Sequence, residues 1–133
     1  MTRTLLMAGC VLTCLTLNPV WAEQTIQPGE PIKASVAKGE WQYYTITPGA
    51  DAELLTVELY QIAEDVDLFL KQGEQPDRIH YDCRQAVFGK RLEVCKLPVD
   101  KQEPVYIGIY GYSGGEFKVR ATVERQVAQA EQE

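Results

Sequence analysis

Residues 105–123 read VYIGIYGYSGGEFKVRATV, two alternating runs divided by a glycine-rich break. Val105, Ile107 and Ile109 alternate with Tyr106, Gly108 and Tyr110. After Gly111–Gly115, Phe117, Val119, Ala121 and Val123 alternate with Lys118, Arg120, Thr122 and Glu124. A period of two places one apolar face against a core and one mixed face toward water, which is the pattern of a half-buried strand. Glycine in the break supplies backbone conformations that other residues resist, so the stretch predicts two strands joined by a turn.

Working outward, Leu55, Val57 and Leu59 alternate with Thr56, Glu58 and Tyr60 in the same way. Shorter candidate strands are Trp41–Ile46, Val66–Lys71, Ile79–Cys83 and Arg91–Leu97. Between them stand turn signals, among them Pro28-Gly29, Lys38-Gly39, Pro48-Gly49, Gln72-Gly73 and Phe88-Gly89. Seven to eight short strands with no helical period between them predict an all-β, antiparallel sandwich. Parallel strands would require long crossovers that this spacing does not provide.

The amino terminus, MTRTLLMAGCVLTCLTLNPVWA, carries Arg3, an apolar run and small residues at Val20 and Ala22. That order predicts a secretory signal over 1–22. The run is shorter than the about 20 apolar residues of a spanning helix. Met7-Ala8-Gly9-Cys10 approaches a lipoprotein signal, but the apolar segment before Cys10 is short. The organisation expected is therefore a leader over 1–22, one domain over 23–124 and a polar tail over 125–133. An exported product, periplasmic or secreted, follows from the leader.

The chain has 13 Lys and Arg against 19 Asp and Glu, for a net charge of −6. Without a basic cluster it is poorly suited to nucleic acid, whose phosphates demand one. Cys10 and Cys14 leave with the leader, and Cys83 and Cys95 remain. In an oxidising compartment this pair predicts a disulfide. One histidine in the whole chain leaves a structural zinc site short of ligands.

Three other groups invite chemistry. Gly111-Tyr112-Ser113-Gly114-Gly115 matches the G-x-S-x-G pattern of serine hydrolases. A nucleophile elbow, however, needs a helix after the serine and a histidine later in the chain. Here a strand follows, and His80 precedes. The favoured reading is a turn, with a small serine hydrolase using Ser113 and His80 as the low-ranked alternative. Asp65 and Asp67 offer carboxylate oxygens of the kind calcium takes, although no EF-hand pattern surrounds them. Tyr106, Tyr110 and, if alternation continues, Tyr112 would share the face opposite Ile107 and Ile109. Exposed tyrosines supply interface area at low entropic cost, so these three are candidate binding residues.

The combination of Trp41 to Tyr44, Asp65 to Leu68, Gly73, Pro76, Tyr81 to Arg84, Cys95 and Tyr106 to Ser113 resembles the bacterial pre-peptidase C-terminal domain. The resemblance implies a jelly-roll-like sandwich, non-catalytic and usually appended to a peptidase. Collagen-binding domains of clostridial collagenases share that fold; they bind through strand tyrosines and take calcium at acidic residues. By resemblance, Tyr106, Tyr110 and Tyr112 are again the candidate binding face. The function expected is a stand-alone, non-catalytic module that binds an extracellular or envelope protein or polysaccharide. The alternative is an accessory factor of a secreted peptidase, chaperone-like or inhibitor-like, acting in trans. No cofactor is expected beyond the weak calcium candidate.

Overall fold

The structure, a computed structural model, describes residues 23–99 and 102–127. The predicted leader and residues 128–133 of the predicted tail lie outside them. Nine strands are present among the described residues: β1 (Gln24–Thr25), β2 (Ile32–Val36), β3 (Trp41–Ile46), β4 (Ala52–Tyr60), β5 (Val66–Gln72), β6 (Cys83–Gln85), β7 (Glu93–Pro98), β8 (Val105–Gly111) and β9 (Gly115–Arg125). No helix is described.

The strands form two sheets, ordered β1-β3-β8-β5-β6 and β2-β9-β4-β7. From β2 onward the chain passes from one sheet to the other at every connection except β5 to β6. The result is the double Greek key of a jelly roll. Every pairing is antiparallel except that of the two-residue β1 with β3. The predicted antiparallel sandwich is thus observed, with one strand more than the upper count.

Alternation explains the core. Leu55, Val57 and Leu59 of β4 and Phe117, Val119 and Ala121 of β9 face Tyr44, Ile46, Leu68, Leu70, Ile107 and Ile109 of the other sheet. All are buried. At about 25 cal/mol per Å² of apolar surface, such burial is the main force holding the two layers together. The outer face of the β2-β9-β4-β7 sheet stays polar. There Arg120 of β9 donates to Glu58 of β4 from Nε at 3.0 Å and from Nη2 at 2.6 Å.

The glycine-rich break is a turn between β8 and β9, packed on the turn between β2 and β3. At Gly114 φ is +85°, and an added Cβ would lie 2.7 Å from the Lys38 backbone nitrogen. Both the conformation and the close approach exclude a side chain there.

Cys83 of β6 and Cys95 of β7 form the predicted disulfide, with Cα atoms 5.9 Å apart. It ties an edge strand of one sheet to an edge strand of the other. One predicted strand is corrected: Ile79–Asp82 is loop, and β6 begins only at Cys83. The Asp77 carboxylate accepts the N–H groups of Ile79 at 2.8 Å and His80 at 2.6 Å. Those local bonds hold the backbone in a turn and take donors a sheet ladder would need.

Candidate binding site

The five-stranded sheet carries an aromatic outer face. Across it, Trp41 of β3 and Asp67 of β5 flank Tyr110 of β8, and Thr45 and Lys71 flank Tyr106. Tyr43 and Phe69 flank Gly108 between those rows. The Trp41 ring stacks on Tyr43, with centroids 5.4 Å apart and planes within 4°. Trp41 also meets Phe69 at 5.1 Å and Tyr110 at 5.0 Å in tilted geometry.

Tyr106 and Tyr110 do project from this face, but the β5–β6 loop, residues 73–82, folds back over it. The Tyr43 hydroxyl donates to the Pro76 carbonyl at 3.0 Å, and Pro76 is buried. Tyr81 sets its edge against Phe69, with centroids 5.8 Å apart. The Arg78 guanidinium lies 5.1 Å from the Tyr110 ring centroid. Tyr106 and Tyr110 are accordingly half-buried, whereas Tyr112, beyond the end of β8 in the turn, is 52% exposed. Alternation stops at Gly111, so Tyr112 does not continue the row.

Beside this cover lies a pocket of about 110 Å³ lined by Asp65, Asp67, Arg78, Arg84, Ala86, Phe88 and Tyr112. Its floor is acidic and buried: Asp65 is 7% exposed and Asp67 8%. Burial and the charge on Asp65 raise the Asp67 carboxyl, while Arg84 and Arg78 oppose the rise. Arg84 stands 5.6 Å from the Phe69 ring centroid. Asp65 Oδ1 is buried with no hydrogen-bond partner. The backbone of Asp65 is engaged, its carbonyl accepting the Ser113 N–H at 2.9 Å. At the rim stands Phe88, 83% exposed.

A third acid, Glu93, supports the pocket from within. β6 ends at Gln85, which leaves backbone donors beyond it without a strand partner. Glu93 supplies one, accepting Leu68 N–H at Oε2 (2.9 Å) and Val87 N–H at Oε1 (2.8 Å). The side chain is almost wholly buried. Desolvation pushes its carboxyl up to about 7, aided by the charges on Asp67 and Asp65 and opposed by the two N–H donors.

Asp65 and Asp67 were the candidate calcium ligands. Their surroundings do not fit that ion, because calcium takes six to eight oxygens and two guanidinium groups line the same pocket. Among the described residues no group of three or more His, Cys, Asp or Glu is gathered to hold a metal. Ser113 and His80 sit in different loops with different partners. His80 Nδ1 lies 2.8 Å from Asp77 Oδ2, and the Ser113 backbone bonds to Asp65.

Arg78 and Glu93 were not singled out in the sequence, and Arg84 and Phe88 entered only as part of a family motif and of a turn signal. Glu93 left a trace: it shares a strand face with Cys95 and Leu97, so alternation alone points it inward. Phe88 left another, as a bulky apolar residue in a polar turn.

No protein-family model matches the chain. Two curated proteases show similarity. The neutral protease of Vibrio proteolyticus is 27% identical over 97 residues, covering 72% of this chain and 16% of that protein. Alkaline serine exoprotease A of Vibrio alginolyticus is 30% identical over 92 residues, covering 68% and 17%. The chain therefore spans about one sixth of the length of these relatives. Among solved structures, the fold is similar to Aeromonas hydrophila PliG, a periplasmic lysozyme inhibitor of g-type lysozyme. The TM-score is 0.60 at 13% identity, covering 77% of this chain and 96% of that one. At that identity the likeness is one of fold.

Proposed function

We propose that the chain is an exported, non-catalytic module that binds a protein partner through the loop rim around the acid–arginine pocket. The observation that carries this is the exposure of two large aromatic side chains that line the pocket, Phe88 and Tyr112. Clustered apolar exposure rimmed by charge marks interaction surfaces. The half-buried Tyr106 and Tyr110 then act by supporting the loop, and Tyr112 by touching the partner. This moves the contact surface from the open sheet face to its loop edge.

Similarity to two proteases supports a second, narrower reading, in which the partner is a peptidase that this module assists or restrains in trans. The sandwich shared with a lysozyme inhibitor is compatible with such a role. Resemblance to the pre-peptidase C-terminal domain points the same way. A test is affinity capture from the producing cell's envelope and culture fluid, followed by binding measurements with the purified partner. Phe88→Ser together with Tyr112→Ser should abolish that binding and leave the melting temperature unchanged. Undiminished binding by the double variant would overturn the proposed surface. Hydrolytic activity lost in Ser113→Ala would overturn the non-catalytic reading.

A further inference from the structure

We infer that the pocket floored by Asp65 takes the cationic head of a lysine or arginine side chain presented by the protein partner. The inference rests on the reading above that this rim meets a protein. It starts from Asp65, a carboxylate 7% exposed whose Oδ1 has no hydrogen-bond partner. A buried acceptor left unmade is costly, more so when it is charged. Nearby backbone donors are already committed: Leu68 and Val87 donate to Glu93, and Ser113 donates to the Asp65 carbonyl.

The two resident cations do not fill the need. Arg78 lies over the Tyr110 ring and Arg84 over Phe69. Among the described residues, neither makes an ion pair with Asp65 or Asp67.

Size and lining narrow the guest. At about 110 Å³ the pocket is far smaller than the roughly 300–1,000 Å³ of small-molecule sites. It admits a side-chain head, not a sugar or a nucleotide. Phe88 and Tyr112 at the rim would flank the methylene stem, and aromatic faces also attract the charge itself. The net charge of −6 favours encounter with a basic surface.

The test is a titration of the isotopically labelled chain with N-acetyl-arginine amide and N-acetyl-lysine amide, followed by backbone amide shifts. Saturable shifts are expected at residues 65–68, 86–88 and 112–113. Asp65→Asn should weaken them about tenfold or more, since a hydrogen bond to a charged group is lost. Tyr112→Ala, in an exposed turn and harmless to folding, should weaken them several-fold, whereas Glu53→Gln, in β4 of the other sheet beside Pro98 and Val99, should not. Three results would overturn the inference: no saturable shifts, shifts spread over the acidic surface and indifferent to Asp65→Asn, or calcium chloride displacing the probes at tenfold lower concentration. Because the probes are free amino-acid derivatives, a positive titration alongside failed protein capture would strike the partner reading and leave the pocket. The reverse combination would do the opposite.

Discussion

Pro76 lies directly over Gly108, so close that a Cβ on residue 108 would stand 2.9 Å from the proline Cγ. The same Cβ would meet the Trp41 ring at 3.0 Å and the Tyr43 ring at 3.1 Å. A glycine at the centre of β8 therefore lets the β5–β6 loop seat on the aromatic face, and that seat places Arg78 at the pocket.

Gly108→Ala should lift the loop or displace the rings, with a cost of about 1–3 kcal/mol typical of an overpacked site. A lower urea midpoint and faster proteolysis within residues 77–82 are the expected readouts. Unchanged stability with unchanged cleavage would show that the loop is not held by this contact.

Stability should fall as pH rises from about 4.5 to about 7, because the Glu93 carboxyl is raised from 4.5 to about 7 in the fold. Between those values the native state keeps a proton that the unfolded chain has released. Raising the pH therefore favours unfolding, and the effect levels off above the folded value. A displacement of this size corresponds to roughly 3 kcal/mol at most. Asp77, held down to about 2 by His80 and the Ile79 N–H, acts in the opposite sense and only below its ordinary value of 3.8. The two windows do not overlap. Glu93→Gln should remove the slope between 4.5 and 7 in urea melts taken across that range.

Reducing or replacing the Cys83–Cys95 bridge should cost about 3 kcal/mol, the chain-entropy value for closing a loop of this length. The sequence separation is 12 residues. Because the bridge joins the free edges of both sheets, the loss should appear first as weaker amide-exchange protection in β6 and β7. A Cys83→Ala, Cys95→Ala double variant with native stability and protection would contradict this.

Tyr44 is wholly buried, and its hydroxyl has no hydrogen-bond partner. Burial pushes that phenol up to about 12. Replacing it with Phe removes an unsatisfied polar atom at almost constant volume, so Tyr44→Phe should stabilise the fold by about 1 kcal/mol. A raised midpoint in chemical denaturation is the check, and a lowered one would mean the hydroxyl has a partner in solution.

Much of this architecture was legible in the residues alone. The alternation in 55–60, 105–110 and 117–124 matched β4, β8 and β9, because one-sided burial of a strand is written locally with a period of two. The disulfide followed from cysteine count and compartment. The small strands β1 and β2 escaped notice, since Gln24–Thr25 is exposed and Ile32–Val36 is only partly apolar.

Alternation does not describe β5, which the sequence offered only as a short candidate strand. Val66 through Leu70 are buried on both faces, Asp67 and Phe69 included, because the β5–β6 loop covers the side that periodicity assigns to water. For the same reason Tyr110, under Arg78, is half-buried, while Phe88 and Tyr112 on neighbouring loops stay exposed. Residues 65, 78, 84, 88, 93 and 112 come from six separate segments, and no local pattern announces that they meet. Local periodicity sets which way each side chain points; only the crossing of chain segments distant in sequence sets what covers it.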